Sequence, residues 1–234
     1  MSREKRRKEF DNGFDRKRED TADREAGVSY RVIKEVKSCV CRIKLPNGNR
    51  GTGFFGVLDS GEETHRGLFT CNHVINEDFL ESDNQCSVEK DEYSEKLEVK
   101  GFWFTDDDLD ATFIKLTDSQ VSKFKNANFR FLHMDYSIKQ GDEIFLLQHP
   151  KGGDLKLAQG TTEKDKRNGH MFYHSCGTDR GSSGSPITNR DGAVLGIHCG
   201  VDSGERKYAV KIKSVKNAIM KVRLFLQRKK VTYV

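Results

Sequence analysis

The chain has 234 residues, of which 35% are hydrophobic and 33% charged, and its formal net charge is +5. This length suits one fairly large domain or two small ones, and no run approaches the roughly 18 consecutive apolar residues that a membrane helix requires. A net charge of +5 is too small to indicate nucleic-acid binding by itself. The composition therefore predicts a soluble, rather polar protein without a membrane span, and it favours no nucleic-acid partner.

Residues 1–27 mix basic and acidic side chains with almost no aliphatic ones, so they cannot supply a hydrophobic core. We predict a disordered or loosely helical leader there. No apolar segment follows its basic start, so it is not a secretory signal, and KRRK at Lys5–Lys8 is a weak candidate nuclear-import signal. Without a secretory signal, the six cysteines are expected to be reduced thiols. The predicted location is therefore intracellular, in the cytoplasm or the nucleus.

From Ser29 onwards, short strand-like segments alternate with turn signals such as PNGN and NRDG. Nine segments have strand character: Ser38–Ile43, Thr52–Val57, Gly67–Cys71, Leu97–Phe104, Ala111–Leu116, Glu143–Gln148, Leu155–Thr161, Ala193–Cys199 and Lys207–Ile212. Between two of them, SVEKDEYSEK (Ser87–Lys96) is expected to be an exposed acidic loop. Many short strands with glycine-rich turns are typical of an all-β barrel or sandwich.

The end of the chain has a different pattern. Val215, Ile219, Val222 and Leu226 recur at helical spacing and would bury one stripe of a helix at about 213–230. Residues 211–230 contain eight Lys or Arg and no acidic residue. The outer face of this helix is therefore either a solvated basic surface or a contact for an acidic partner.

Three short motifs carry the candidate chemistry. LFTCNHV places His73 after an apolar strand, DDDLDATFIKL places Asp110 before another, and GTDRGSSGSP places Ser183 among glycines and serines. A serine nucleophile needs a base to take its proton and a carboxylate to orient that base. Glycine lets main-chain N–H groups face a developing oxyanion, so Gly181 and Ser183 are the candidate donors.

From Ser29 to Val222 the chain resembles the trypsin-like (chymotrypsin-fold) serine peptidase superfamily. TGFF followed by LFTCNHV, the DLDATFIKL strand and the order His, Asp, Ser carry the likeness; α/β-hydrolases and subtilisin have other orders. The resemblance implies an all-β fold of two antiparallel six-stranded β-barrels, at about 28–125 and 126–212, in a peptidase domain that covers 28–234 including the C-terminal α-helix. It also implies a serine endopeptidase that acts on protein or peptide substrates and needs no metal or cofactor.

The same resemblance implies the roles of the triad. Ser183 attacks the scissile carbonyl, His73 is general base and then acid, and Asp110 orients His73. Three neighbouring carboxylates compete for the orienting role: Asp106, Asp107 and Asp108. Asp110 is preferred because it directly precedes ATFIKL, as the superfamily pattern requires.

Within the superfamily, GSSGSP followed by AVLGIHCG is most similar to bacterial glutamyl endopeptidases of the V8 type. In those enzymes a Thr five residues before the nucleophile and a His fifteen residues after it line the S1 pocket, and these offsets give Thr178 and His198 here. The resemblance implies cleavage after Glu, or after Asp. His-lined S1 pockets also occur in viral 3C-like cysteine peptidases that prefer Gln, so an amide at P1 stays open.

Two features depart from the pattern. Ser182 stands where animal digestive members have the Asp that pairs with a newly cut N-terminus, so activation by that ion pair is not expected. Arg180, beside the candidate oxyanion donors, either reads substrate charge or faces solvent. The alternative function is a catalytically weak or inactive peptidase-like module that binds acidic peptides or partner proteins through Thr178, His198 and the basic helix.

Overall fold

The computed structural model describes residues 28–61, 63–82, 85–166 and 169–231, with side chains in the last helix described as far as Leu224. The charged leader predicted at 1–27 lies outside these residues. Within them, no helix combines the length and the hydrophobicity that a membrane crossing needs. All six cysteines are buried and free.

The N-terminal half forms one antiparallel sheet. Its elements are α1 (Tyr30–Lys37), β1 (Val40–Lys44), β2 (Arg50–Asp59), β3 (Thr64–Thr70), α2 (Glu77–Glu81), β4 (Cys86–Lys90), β5 (Tyr93–Leu97), β6 (Trp103–Asp106), β7 (Ala111–Lys115) and α3 (Asp118–Asn126). The strand order is β5-β4-β1-β2-β3-β7-β6, and in the described residues the edge strands β5 and β6 do not pair with each other. This sheet is therefore open.

The C-terminal half forms a closed six-stranded barrel with the strand order β10-β13-β12-β11-β8-β9. Its elements are β8 (Glu143–Gln148), a 3₁₀ turn (Pro150–Gly152), β9 (Lys156–Lys166), β10 (Met171–His174), β11 (Pro186–Thr188), β12 (Val194–Val201), β13 (Lys207–Lys211) and α4 (Ile212–Val231). The predicted C-terminal helix is confirmed. It buries Val215 and Ile219 as expected, whereas 38% of Val222 is exposed.

Two sequence predictions need correction. Two closed six-stranded barrels were expected, but in the described residues only the second half closes, and the first half has seven strands in an open sheet. The segment expected as an acidic loop at Ser87–Lys96 instead forms the β4–β5 hairpin. Buried Cys86, Val88 and Leu97 lie on one face of the hairpin and pack on the core. Glu95, which pairs with Val88, lies at that same face, whereas Glu89 lies on the other.

Buried phenylalanines pack against one another at the centre of the open sheet. The stacked rings of Phe54 and Phe69 have their centroids 5.2 Å apart, and the ring centroids of Phe69 and Phe113 are 4.7 Å apart. Each fully buried ring contributes about 1.5–3 kcal/mol of hydrophobic stabilisation. In the register of β3 and β7, Thr70 lies opposite Thr112. The segment that follows β3 and the segment that precedes β7 therefore meet at one end of the open sheet.

Candidate active site

His73 lies in a helical turn directly after β3. The N–H groups of Val74 and Ile75 both donate to the carbonyl of Cys71, at 3.2 and 3.1 Å, which closes the turn. Cys71 and Ile75 are fully buried, whereas 49% of the His73 side chain is exposed. The buried residues on both sides of His73 anchor the turn and leave its imidazole accessible to a substrate.

Asp110 lies at the end of the turn between β6 and β7. The Asp106 carboxylate accepts the N–H of Leu109 at 2.8 Å, and the Asp110 N–H donates to the Asp107 carbonyl at 3.1 Å. The Asp110 carboxylate oxygens Oδ2 and Oδ1 lie 2.8 and 2.9 Å from His73 Nδ1. Oδ1 also accepts the His73 main-chain N–H at 3.0 Å. Asp110, the preferred one of the four candidate aspartates, therefore hydrogen-bonds His73.

Ser183 lies in a tight loop between β10 and β11. The Ser182 N–H donates to the Asp179 carbonyl at 3.1 Å, and the Ser182 hydroxyl accepts the Asp179 N–H at 3.2 Å. Gly181 and Gly184, on either side of the candidate nucleophile, have φ of 87° and 88°. These left-handed conformations suit glycine because it has no Cβ to clash with the backbone. The glycines therefore shape the loop rather than loosen it.

Two N–H groups of this loop are available to a ligand. Among the described residues, neither the Gly181 N–H nor the Ser183 N–H has an acceptor. The Arg180 carbonyl accepts the Lys151 N–H at 2.5 Å. Because a trans peptide directs its carbonyl and N–H to opposite sides, this bond turns the Gly181 N–H away from Lys151. Two such donors beside a serine hydroxyl form a geometry that can receive an anionic oxygen.

The Arg180 side chain is exposed. The residue contributes to the loop through its main-chain carbonyl, and both predicted roles of its side chain, reading substrate charge and facing solvent, stay predictions.

The Ser183 hydroxyl does not reach the histidine in this conformation. It donates to the carbonyl of Cys199 at 3.3 Å, and the described residues contain no hydrogen bond between Ser183 and His73. The Cys199 thiol is in turn 3.9 Å from the carbonyl of Asp110. Catalytic hydrogen bonds are often long or misaligned before substrate binds. The structure thus joins His73 to Asp110 directly and leaves Ser183 bonded to β12.

His198 lies on β12 beside the Ser183 loop and is almost completely buried. Its N–H donates to the Ser185 carbonyl at 2.9 Å, and its carbonyl accepts the Gly184 N–H at 2.8 Å. Its ring nitrogen Nδ1 is 3.1 Å from Nε2 of the equally buried His174. Burial, with the nearby His174 and His73, lowers the pKa of His198 to about 3. Burial also lowers the pKa of His174 to about 4. Both rings are therefore neutral at neutral pH.

Thr178, the other candidate S1 residue, is half-buried in the segment before the Ser183 loop. In the part of the chain that the structure describes, no hydrogen bond joins it to His198. The adjacent Gly177 is held by Gln148, whose side-chain amide donates to the Gly177 carbonyl at 2.7 Å. The hydrogen bond from Gln148 therefore holds the segment that carries Thr178, and the two predicted S1 side chains are not hydrogen-bonded to each other in the described residues.

One group of side chains has donors that a metal ion could use. Ligand atoms of Cys71, His73 and Asp110 lie within 4.8 Å of one another. Two of these residues already form the hydrogen-bonded His–Asp pair described above. The Cys71 thiol donates to the carbonyl of His198 at 3.2 Å, and burial raises its pKa well above the usual value.

Comparison with known proteins identifies the family. The trypsin-like peptidase domain family matches residues 51–197, which is more than half of the chain. The chain belongs to the trypsin-like peptidases. It is therefore a serine endopeptidase by class, and the matched region contains His73, Asp110 and Ser183. No curated protein matches the chain.

Solved structures of several proteases are similar to this trypsin-like peptidase in fold. The inactive form of the Rv3671c protease of M. tuberculosis has a TM-score of 0.60 at 17% identity, covering 81% of this chain and 91% of that one. The serine endoprotease of Yersinia pestis has a TM-score of 0.62 at 16% identity, covering 81% and 64%. The HtrA-type protease AlgW, solved with a tripeptide, has a TM-score of 0.62 at 15% identity, covering 85% and 63%. At these identities the likeness shows the chymotrypsin-like fold alone.

Several residues at the site of this trypsin-like peptidase had no role in the sequence analysis. Thr52 bonds to the Ser183 loop, His174 bonds to His198, and Cys199 accepts the Ser183 hydroxyl. The available signals were weak: Thr52 is a polar residue directly before the apolar run GFFGVL of β2, and His174 ends a strand. Neither pattern indicates which distant group a side chain will contact.

Proposed function

We propose that this trypsin-like peptidase cleaves peptide bonds with Ser183 as nucleophile, His73 as general base and then acid, and Asp110 as the residue that orients His73. The observation that carries the proposal is the set of three hydrogen bonds from His73 to one carboxylate, at 2.8, 2.9 and 3.0 Å. With Nδ1 held by Asp110, the other ring nitrogen, Nε2, is left to face a nucleophile. A carboxylate in this position also stabilises the imidazolium that forms during the reaction.

The proposed chemistry follows the usual acyl-transfer sequence. Rotation about the Cα–Cβ bond of Ser183 releases its hydroxyl from Cys199 and brings it to His73 Nε2. As the Ser183 Oγ–carbon bond forms, the hydroxyl proton moves to Nε2 and the carbonyl oxygen becomes an oxyanion. The N–H groups of Gly181 and Ser183 bind that oxyanion. His73 then gives the proton to the leaving amine as the C–N bond breaks, and water hydrolyses the acyl-enzyme by the same steps in reverse.

For the P1 side chain we propose a pocket lined by Thr178 and His198 that selects Glu, with Asp as the second choice, as in the V8-type enzymes. The position of His198 beside the Ser183 loop supports this pocket. Because burial keeps His198 neutral, the pocket would hold a P1 oxygen with N–H and hydroxyl donors rather than with a fixed charge. Gln offers a similar oxygen acceptor and is the competing outcome.

A fluorophosphonate probe tests the nucleophile without knowledge of the substrate. We expect wild-type protein to be labelled and Ser183→Ala to lose both labelling and cleavage. Ser60→Ala is the matched control, because Ser60 lies at the opposite end of β2 from the site, and it should keep both activities. Labelling or cleavage that persists in Ser183→Ala would contradict the proposed mechanism.

Cleavage of a peptide library then tests the pocket. We expect cuts after Glu, and His198→Ala should remove the preference. Preferential cutting after Gln would replace the acidic P1 assignment with an amide, and equal cutting after Phe, Arg and Glu would eliminate the pocket.

A second function has one observation in its favour, the hydrogen bond from Ser183 to Cys199 instead of His73. A peptidase-like module that binds acidic peptides without turnover would tolerate this arrangement. Its basic C-terminal helix, with exposed Lys213 and Lys221, offers a surface for an acidic partner. Absence of probe labelling together with binding of an acidic peptide would favour this function over the enzyme.

A further inference from the structure

Thr52, near the start of β2, has an unusual position for a polar residue. It is completely buried, and its hydroxyl uses both of its hydrogen-bonding roles. The hydroxyl donates to the carbonyl of Gly181 at 2.8 Å and accepts the N–H of His149 at 3.1 Å. Its main-chain N–H donates to the carbonyl of Ser183 at 2.9 Å, and its carbonyl accepts the hydroxyl of Thr70 at 2.9 Å. One residue of the open sheet therefore holds two carbonyls of the Ser183 loop.

These two carbonyls determine how the loop presents its donors. The carbonyls of Gly181 and Ser183 each belong to the peptide plane that directly follows the N–H proposed to bind the oxyanion. Fixing those planes restricts the rotation of the residues between them, because the backbone has only two soft dihedrals per residue. The bond from Lys151 to the Arg180 carbonyl fixes the preceding plane in the same way.

The main-chain groups of the Ser183 loop fall into two sets, those with a hydrogen-bond partner and those without one. The carbonyls that point towards Thr52 are paired, whereas the N–H groups of Gly181 and Ser183 have no acceptor among the described residues. Gly181 and Ser183 are only partly buried, so their N–H groups can stay open to a ligand while contacts from outside the loop hold their carbonyls. Thr52 provides these contacts: its hydroxyl donates to the Gly181 carbonyl, and its main-chain N–H donates to the Ser183 carbonyl.

We propose that Thr52 is a positioning residue for the oxyanion donors: its hydroxyl holds the Gly181 carbonyl so that the Gly181 N–H faces the reacting carbonyl of the substrate. The inference rests on the proposed function, because it assumes that Gly181 and Ser183 stabilise the oxyanion. Thr52 itself touches no reacting atom. Its contribution is to keep a donor aligned in the transition state, which affects kcat more than substrate binding.

The test uses Thr52→Val, which keeps the shape of the side chain and removes the hydroxyl, and Thr52→Ser, which restores it. Thr162→Val is the matched control, because Thr162 is buried, its hydroxyl donates to the main-chain carbonyl of Lys139, and it lies on β9 away from the loop. The readouts are kcat and KM on a peptide substrate, the rate of fluorophosphonate labelling, and the thermal unfolding midpoint.

We expect Thr52→Val to lower kcat and the labelling rate about 10- to 100-fold, somewhat less than the complete loss of an oxyanion donor, with KM changed less than about threefold. Thr52→Ser should stay within about threefold of wild type, and Thr162→Val should lower the unfolding midpoint without lowering kcat. If Thr52→Val does not fold, Thr52→Cys replaces it, because a thiol is similar in size and a weaker donor.

Two outcomes would overturn the inference: wild-type kcat in Thr52→Val, or in Thr52→Cys if it is the variant used, and an equal loss of kcat in Thr162→Val. Ser183→Ala is run in parallel. If it retains activity, the proposed nucleophile is wrong. If it is inactive while Thr52→Val is fully active, only the role of Thr52 fails.

Discussion

Replacing Gly181 by Ala tests the oxyanion loop with two separable effects. Gly181 has φ of 87°, and a Cβ there would lie 2.8 Å from two backbone atoms, the carbonyl oxygen of His149 and the nitrogen of Gly152. The left-handed conformation costs an L-residue about 1–2 kcal/mol, and the contacts add to this because backbone atoms cannot move aside as a side-chain tip can. The loop must therefore shift, and its N–H moves away from the position that an oxyanion would occupy.

A second glycine isolates the conformational cost. Gly141 has nearly the same φ, 88°, but a Cβ there would meet no atom within 4 Å. We expect Gly141→Ala to lose about 1–2 kcal/mol of unfolding free energy and to keep wild-type kcat. Gly181→Ala should be less stable than Gly141→Ala, and its kcat should fall about 10²- to 10³-fold, the usual effect of losing one oxyanion donor.

Urea unfolding gives the two stabilities, and steady-state kinetics on one peptide substrate gives kcat and KM. If Gly181→Ala keeps wild-type kcat, the Gly181 N–H does not stabilise the transition state, and the reasoning from the unpaired N–H groups is refuted. If Gly141→Ala loses as much kcat as Gly181→Ala, the loss reports a general effect of stability rather than a local one.

Three further predictions concern the triad, the buried histidines and the thiols. Asp110→Asn should lower kcat about 10⁴-fold, because an amide cannot hold the His73 ring in the required tautomer; a loss below tenfold in steady-state assays would contradict the orienting role. Burial lowers the pKa of His174 to about 4 and that of His198 to about 3, below the usual value near 6.5. At a pH between the lowered pKa and 6.5, the unfolded chain therefore binds more protons than the folded one. The free energy of unfolding should therefore be greatest above pH 6.5 and fall as the pH drops towards 4, by about 1.4 kcal/mol per pH unit for each ring. His174→Gln should reduce this slope in urea titrations at several pH values, and an unchanged slope would argue against the histidine pair. Burial raises the pKa of most of the six cysteines, so iodoacetamide should modify the folded chain slowly and the unfolded chain completely; rapid alkylation of the folded chain, measured by mass spectrometry, would show that the thiols are accessible.

The strands of the fold were predictable where the hydrophobic pattern was strong. Ala111–Lys115 and Glu143–Gln148 are strands at almost the positions that their apolar runs indicated. The β4–β5 hairpin was missed because its few buried residues stand among many charged and polar ones, so its composition is closer to that of a loop than of a strand. Whether the first sheet closes depends on hydrogen bonds between its edge strands, and no local pattern encodes those.

The candidate site was predictable to the extent that its residues sit in local motifs. The sequence favoured Asp110 over its three neighbours, and the structure pairs Asp110 with His73. The catalytic roles of His73, Asp110 and Ser183 stay predictions, as do the S1 roles of Thr178 and His198. No local pattern predicted that the Ser183 hydroxyl would donate to the Cys199 carbonyl, because that contact depends on a side-chain rotamer and on the position of β12.

The sequence by itself determined the chemical groups and the local turns: a histidine after one strand, an aspartate before another, and a serine between glycines that permit left-handed φ. Only the tertiary structure decided which distant residues form hydrogen bonds with the segments that carry these groups. The hydroxyl of Thr52 and the carbonyl of Gly181 are 129 residues apart in the chain, and His174 meets His198 across strands of a closed barrel. Local preferences act over a few residues, whereas such contacts exist only after the sheet and the barrel have packed together.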